Sequence, residues 1–318
     1  NTKGIRSVQA DLGIEVTLAL FNKEGLTKLF QAIRSKKWEL NPNCQRILAL
    51  ENNYINTIDQ VILFLQGKLD TIAHLICSRT FLPEADAFDQ MDDLDWAFGA
   101  MGKQDKAKHI ATMYLEDLGN LIKETIDPYF GFSRYAESLG RSANSFDELY
   151  AAINAQQSYL DNILLDIFEQ YIQKVQPKLV CISVPFPGNL YTSLRCGQWI
   201  KQHHPSIKVA MGGGFANTEL RSLSDPRVFE FYDFITLDDG EAPIEILIDH
   251  IDGKKEVHDL KRCFTLLNGV VTYINESIYP DYKQHQLGTP DYEGLLLDQY
   301  ISVIELVNPM HSLWSDGR

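Results

Sequence analysis

Apolar residues recur at helical spacing through most of the first half of the chain. Leu26, Leu29, Phe30 and Ile33 form one such set and Ile55, Ile58, Ile62 and Leu65 another, while Leu115, Leu118 and Ile122 belong to a stretch that stops at Asp127-Pro128. They predict a helical block over residues 15–144. Ser145 and Glu148 have the spacing of a capping box, and Leu160, Ile163, Leu164, Ile167 and Tyr171 lay one apolar stripe down a further helix, to Gln173. After Pro177 the period changes. Leu179, Val180, Cys181, Ile182 and Val184 are almost continuously apolar, the pattern of a strand buried on both faces. Ile207, Val209 and Met211 predict a second strand, and Phe234, Ile235 and Leu237 a third. The helix after the third has Pro243 near its start, Ile244, Leu247, Ile248 and Ile251 on its buried face, and Gly253 at its end. Ile5–Leu12 alternates loosely around Val8 and predicts one more short strand.

Later segments read differently. In CFTLLNGVVTYI, Asn268-Gly269 supplies the positive φ angles of a tight hairpin turn between two β-rich runs. Beyond Tyr279, Pro280, Pro290 and Pro309 break any long helix, so this stretch predicts a connector that wraps a surface.

The segments Lys178–Asn189, Ile207–Leu220 and Asp233–Leu247 are thus three consecutive β-loop-α units, whose loops gather at one rim of a parallel sheet, where ligands bind. The fold class is α/β: a flavodoxin- or Rossmann-like doubly wound parallel sheet with a large helical insertion and a hairpin and connector at its C-terminal end. Residues 1–14 and 145–253 form the α/β domain, 15–144 the helical insertion and 254–318 the hairpin and connector.

Charge and cysteine usage narrow the partners. With a net charge of −14 over 318 residues and a pI near 5.0, the chain lacks the Lys and Arg excess that nucleic-acid binding needs. Five cysteines, Cys44, Cys77, Cys181, Cys196 and Cys263, stand singly, which argues against a disulfide framework or a zinc site and fits a reducing cytoplasm. Apolar runs such as Val61–Leu65 are far shorter than the ~20 residues of a membrane helix, so no membrane span is expected. Asn1 opens the sequence without a methionine, and the first residues read as the middle of a domain, so the chain reads as a fragment.

Candidate chemistry lies in the three loops. In the first, Gly188 and Asn189 permit a close turn, while Ser183, Tyr191, Thr192 and Ser193 offer hydroxyls. In the second, Gly212, Gly213 and Gly214, followed by Phe215, leave no Cβ atoms, so a planar ligand could lie against the backbone. This run is not the GxGxxG dinucleotide fingerprint. In the third, Asp239, Gly240 and Glu241 place carboxylates where they cap a helix or accept ligand hydrogen bonds. Ordinary turns and caps use the same residues. The acidic stretch Glu84, Asp86, Asp89, Asp92, Asp93 and Asp95 lacks EF-hand alternation and reads as a solvated face; His203-His204 suits a helix C-terminus; Trp96, Phe98, Phe130, Phe132 and Tyr135 read as core.

In this order and spacing the three segments resemble the cobalamin-binding module of B12-dependent radical SAM enzymes. The tail from Thr289 to Arg318, with TPDYEGLLLDQYI, resembles that family's connector into the radical SAM barrel. The resemblance covers roughly the last half of the chain. It implies cobalamin at the rim formed by Ser183–Thr192, Gly212–Phe215 and Asp239–Glu241, and methyl transfer or another radical reaction on an unknown small-molecule substrate. It further implies a radical SAM barrel in the same polypeptide, with a 4Fe-4S cluster on a CxxxCxxC motif soon after Arg318 and S-adenosylmethionine on its unique iron. None of the five cysteines has that spacing, so the chain itself carries no reaction centre. The Asp-x-His-x-x-Gly loop with which cobalamin mutases supply a lower axial histidine is absent, and Asp281, His285 and Gly288 have the wrong spacing for it. The flavodoxin-like order 2-1-3-4-5 implies a first strand upstream of Asn1, leaving Ile5–Leu12 and Lys178–Val184 apart by one strand's width, about 10 Å. Two other readings use the same residues: a flavodoxin-like scaffold that binds no cobalamin, and a nucleotide-dependent transferase holding phosphate at the glycines, for which a P-loop Lys is missing.

Overall fold

Side-chain caps start the first three helices of the chain. A computed structural model describes residues 4–35, 39–89, 102–131 and 146–303. In it α1 spans Leu12–Leu20, α2 Lys23–Arg34, α3 Pro42–Ala49, α4 Glu51–Leu65, α5 Ala73–Cys77 and α6 Lys103–Thr125. Asp11, Asn22 and Asn41 accept backbone N–H groups at the starts of α1, α2 and α3. The stripe Leu26, Leu29, Phe30 and Ile33 of α2 is buried, as are Ile58, Ile62 and Leu65 of α4, and these two helices pack together. The chain divides into two compact units, Asn1–Phe130 with Tyr292–Arg318, and Gly131–Asp291.

Ile5–Leu12 is not a strand. Residues 5–10 have no regular structure, Ile5 and Val8 are exposed, and Leu12 opens α1. The Asp11 carboxylate accepts from Gly13 N at 3.0 Å and Ile14 N at 3.3 Å, and this cap prevails over a loose alternation that has no sheet to pair with. The expected 10 Å gap between two strands therefore does not arise. Residues 293–302 lie against the helices of their own unit: Gln9 donates to Glu293 O, Tyr300 OH to Asp11 Oδ2, Gln66 to Gln299 O and Ser302 N to Leu65 O.

The second unit alternates helix and strand. Its elements are α7 (Asp147–Asn154), α8 (Tyr159–Val175), β1 (Leu179–Ser183), α9 (Leu190–His203), β2 (Lys208–Gly212), α10 (Gly214–Glu219), β3 (Phe234–Thr236), α11 (Glu241–Ile251), β4 (Cys263–Leu267) and β5 (Val270–Ile274). The five strands form one mixed sheet in the order β1-β2-β3-β4-β5, with β1, β2 and β3 parallel and the last two pairings antiparallel. The fold is thus α/β. Asn268 (φ 51°) and Gly269 (φ 79°) make the predicted hairpin turn, pairing Phe264 with Tyr273 and Thr265 with Thr272. Ser145 lies outside the described residues; a capping box from Ser158 and Asp161 opens α8. Ala210, Phe234, Ile246, Leu247, Leu260, Cys263 and Ile274 form a core between α11 and the sheet.

β1 departs from its expected burial. It stands at the end of the strand order, with Leu179, Val180 and Ile182 half-buried and Cys181 and Ser183 exposed. Lys178 O accepts from Lys208 N and Val184 N donates to Gly212 O, so by the alternation of a parallel ladder the odd-numbered residues turn their backbone groups away from β2. No strand among the described residues pairs with that outer edge.

Candidate functional site

The C-terminal ends of β1, β2 and β3 bring the first two predicted loops into backbone contact. Ser183 pairs with Gly212 in register; beyond them Val184 N donates to Gly212 O at 2.8 Å and Phe215 N to Val184 O at 3.0 Å. This crossing accounts for the glycine run. A Cβ on Gly213, whose φ is +102°, would lie 2.7 Å from Val184 O, and one on Gly214 would lie 2.7 Å from Pro185 O. A Cβ on Gly212 would meet Thr236 Oγ1 at 3.0 Å. The space freed by the missing side chains is thus taken by neighbouring protein atoms. Gly214 still presents an exposed backbone and Phe215 is buried beneath it.

The hydroxyls divide into two groups. Tyr191 is buried on α9, where its OH donates to Asp161 Oδ2 at 3.0 Å and accepts from Arg195 Nη2 at 2.8 Å. Burial, followed by the Asp161 charge, pushes the phenol up to about 12. Ser193 Oγ is hydrogen-bonded to Tyr232 OH at 2.7 Å, also in the interior. Both hydroxyls are thus engaged with interior partners. Ser183 is exposed at the strand end and Thr192 is half-buried, its Oγ1 donating to Asn189 O at 3.0 Å. Asn189 is exposed and Gly188 half-buried in the one-turn helix Pro187–Asn189. On the same loop Phe186 is 70% exposed, an aromatic that the hydroxyl-centred reading of the sequence passed over.

The third loop is held by groups distant in sequence. Asp238 adopts φ 59°, its N–H donates to Asn217 Oδ1 at 2.6 Å, and its carboxylate pairs with Arg221. Asp239 O accepts from Arg262 Nη2 at 2.9 Å. Gly240 occupies the N-cap of α11, with no side-chain cap, and Glu241 lies exposed in the first turn, where its charge suits the helix dipole. The carboxylates of Asp239 and Glu241 are exposed at the rim. Asn217, Arg221 and Arg262 escaped the sequence reading because only the sheet brings them beside β3; the Lys261-Arg262 pair just before a β-rich run was the one signal.

Hydroxyls, exposed backbone and carboxylates are offered at the rim, while among the described residues no cluster of His, Cys, Asp and Glu is placed to hold a metal ion. His203 Nδ1 lies 2.9 Å from Trp199 O at the C-terminal end of α9, and His250 Nδ1 lies 2.9 Å from Lys255 O at the corresponding end of α11, both away from the strand C-termini. His285 is exposed in the connector, and Asp281 is paired with Arg262 and Lys261. The rim therefore offers a ligand backbone, hydroxyl and carboxylate groups. In the helical unit, a separate, open surface pocket of about 520 Å³ is lined by Arg46, Leu50, Asn53, Arg79, Leu82 and Glu84 among others. No helix among the described residues is long and apolar enough to cross a membrane. Comparison with protein families, with curated proteins and with solved structures found no match to this chain.

Proposed function

We propose that the α/β unit is a ligand-binding module of the cobalamin type, working with a radical SAM barrel of the same polypeptide. The observation that carries the reading is the convergence of three consecutive β-loop-α segments at one rim, where Ser183, Gly214, Phe186, Asp239 and Glu241 are exposed together with the first two loops locked in backbone contact. The order of these segments and the tail TPDYEGLLLDQYI support the same family. In this reading Ser183 and the Gly214 backbone, flanked by Thr192 and Asn189, would hold the ligand, and Asp239 and Glu241 would accept hydrogen bonds from its amide groups. Cobalamin would supply a methyl carrier or radical partner for a reaction on a small-molecule substrate, with S-adenosylmethionine and the 4Fe-4S cluster contributed by the barrel.

Titration with hydroxocobalamin, followed by its visible absorbance, tests this. Saturable binding is expected, lost in Ser183→Trp, whose side chain would stand in the rim while leaving far-UV circular dichroism unchanged. A second reading, a scaffold that binds no cobalamin, is favoured by the interior engagement of Tyr191 and by the lack, among the described residues, of a His cluster able to hold a metal at the rim. Absence of binding by the intact chain would select it.

A further inference from the structure

We propose that Arg262 couples the rim loop to the connector, so that a ligand held at Asp239–Glu241 and the docking of residues 275–283 favour one another. The ligand side of this proposal rests on the reading of the rim as a binding site. Arg262 lies just before β4 with φ 45°, and its carbonyl accepts from Leu237 N at 2.9 Å, which sets it beside the end of β3. Its side chain is 13% exposed. One guanidinium edge reaches both segments: Nη2 donates to Asp239 O at 2.9 Å and lies 2.8 Å from Asp281 Oδ1, and Nη1 donates to Asp281 Oδ2 at 3.0 Å. Because the guanidinium is planar and rigid, displacement of either partner misaligns the other.

Both ends of this bridge depend on such outside support. On the rim side, Asp238 holds a left-handed conformation that a non-glycine residue adopts at a cost, sustained by Asn217, Arg221 and the Arg262 contact to the next residue. On the connector side, residues 275–283 have no regular structure and Ile278 is 92% exposed, so apolar burial contributes little to docking there. Polar contacts hold the segment instead. Lys261 Nζ donates to Tyr279 O at 2.6 Å and lies 3.3 Å from Asp281 Oδ1, Asn275 Oδ1 accepts from Arg262 N at 3.3 Å, Lys255 stands over the Tyr279 ring at 3.8 Å, and Tyr282 OH bonds to Glu245. Arg262, and after it Lys261, hold the Asp281 carboxyl below its ordinary range. Arg262 Nε is buried with no acceptor, so losing either of the other contacts would leave further donors of one buried group unsatisfied. A segment that docks through a few polar contacts has a docked and an undocked state, and any group that favours one state in the rim loop biases the other segment reciprocally.

Hydrogen–deuterium exchange on the intact chain tests the coupling without a ligand. Asp281→Ala alters only the connector end of the bridge, yet is expected to speed exchange of the rim-loop amides at 238–241 by about fivefold or more. Arg221→Met, altered only on the rim side, is expected to speed exchange across 275–283. Arg262→Lys keeps the charge but not the fork and should loosen both segments. Rim-loop exchange unchanged in Asp281→Ala would overturn the proposal, whether or not the connector itself loosens. In the second arm hydroxocobalamin should slow exchange across 275–283 in the parent chain and fail to do so in Arg262→Lys. Binding without any slowing in the parent overturns the coupling while leaving the rim reading intact. Absence of binding overturns the rim reading, and the coupling then stands or falls on the ligand-free exchange alone.

Discussion

Asp117 in the helical unit and Asp161 in the α/β unit are both almost completely buried, and the two solve the same problem in different ways. Asp117, on α6 of the helical unit, is 0% exposed and accepts from Tyr54 OH at 3.1 Å, Ala85 N at 2.8 Å and Ala87 N at 3.0 Å, without a cation among its partners. Asp161, at the start of α8 in the α/β unit, is 2% exposed and lies 3.1 Å from Arg195 Nη2, with Tyr191 OH and Ser158 N as further donors at 3.0 Å each. Arg195, itself 1% exposed, also donates to Ile153 O and Gln198 Oε1. Neutral donors satisfy the Asp117 oxygens but leave its charge poorly solvated, and burial pushes its carboxyl up to about 6 against the lowering effect of those hydrogen bonds. A buried carboxylate can therefore serve as a peg for backbone, as Asp117 does for the loop at Ala85–Ala87, or as half of an ion pair that ties two helices, as Asp161 does for α8 and α9. The first carries a pH dependence; the second carries a dependence on its partner.

The sharpest way to break this comparison is to remove Arg195. Arg195→Met leaves Asp161 buried without its cation and is expected to cost about 3–5 kcal/mol in urea denaturation, whereas Asp161→Leu combined with Arg195→Met should recover most of that loss. A loss below about 1 kcal/mol for the single change would show that the pair is solvated and the contrast unfounded. Next in size, Asp117→Ala strands two backbone donors and the Tyr54 hydroxyl and should destabilise the helical unit by about 3 kcal/mol, read as a lower unfolding midpoint of that unit.

The pH dependence of Asp117 follows with a definite sign. Its folded-state value of about 6 lies above the ~3.9 of an unfolded carboxyl, so the native state binds the proton more readily. Its contribution to stability is fully present below ~3.9 and is lost as pH rises through about 6, roughly 2 kcal/mol over that window. Stability of the chain compared with Asp117→Asn across this range measures it; identical slopes for the two proteins would refute it. The smallest expected effect is that of Ser158→Ala. It removes the Oγ that accepts Asp161 N at 3.0 Å while leaving the Arg195 pair in place, at about 1 kcal/mol in midpoint shift. A loss as large as that of Arg195→Met would mean that the cap, and not the ion pair, positions Asp161.

Much of this architecture could be read from residue order. The stripes of α2 and α4, the break after Asp127, the Asn268-Gly269 hairpin, the end of α11 at Gly253 and the three β-loop-α units all rest on local periodicity or turn stereochemistry, which neighbouring residues decide. The glycine run was legible as a position but not as a cause: spacing alone suggested room for a ligand, and the structure fills that room with Val184, Pro185 and Thr236. The same limit applies to the hydroxyls. Tyr191 and Ser183 look alike as donors in a loop, yet helical geometry turns one toward Asp161 and strand geometry leaves the other at the surface.

Local sequence also settled where strand and helix alternate, because caps, turn residues and apolar period act within a few positions of each other. It could not settle which elements become neighbours. That Ile5–Leu12 finds no sheet, that β1 ends the strand order with its outer backbone groups turned away from β2, that Arg195 meets Asp161, and that Arg262 lies between Asp239 and Asp281 are all outcomes of tertiary packing. The physical reason is range. A helix or hairpin is specified by interactions over a few residues, whereas a buried charge pair or a sheet edge is specified by whichever distant surface closes over it, and that choice belongs to the free energy of the whole fold.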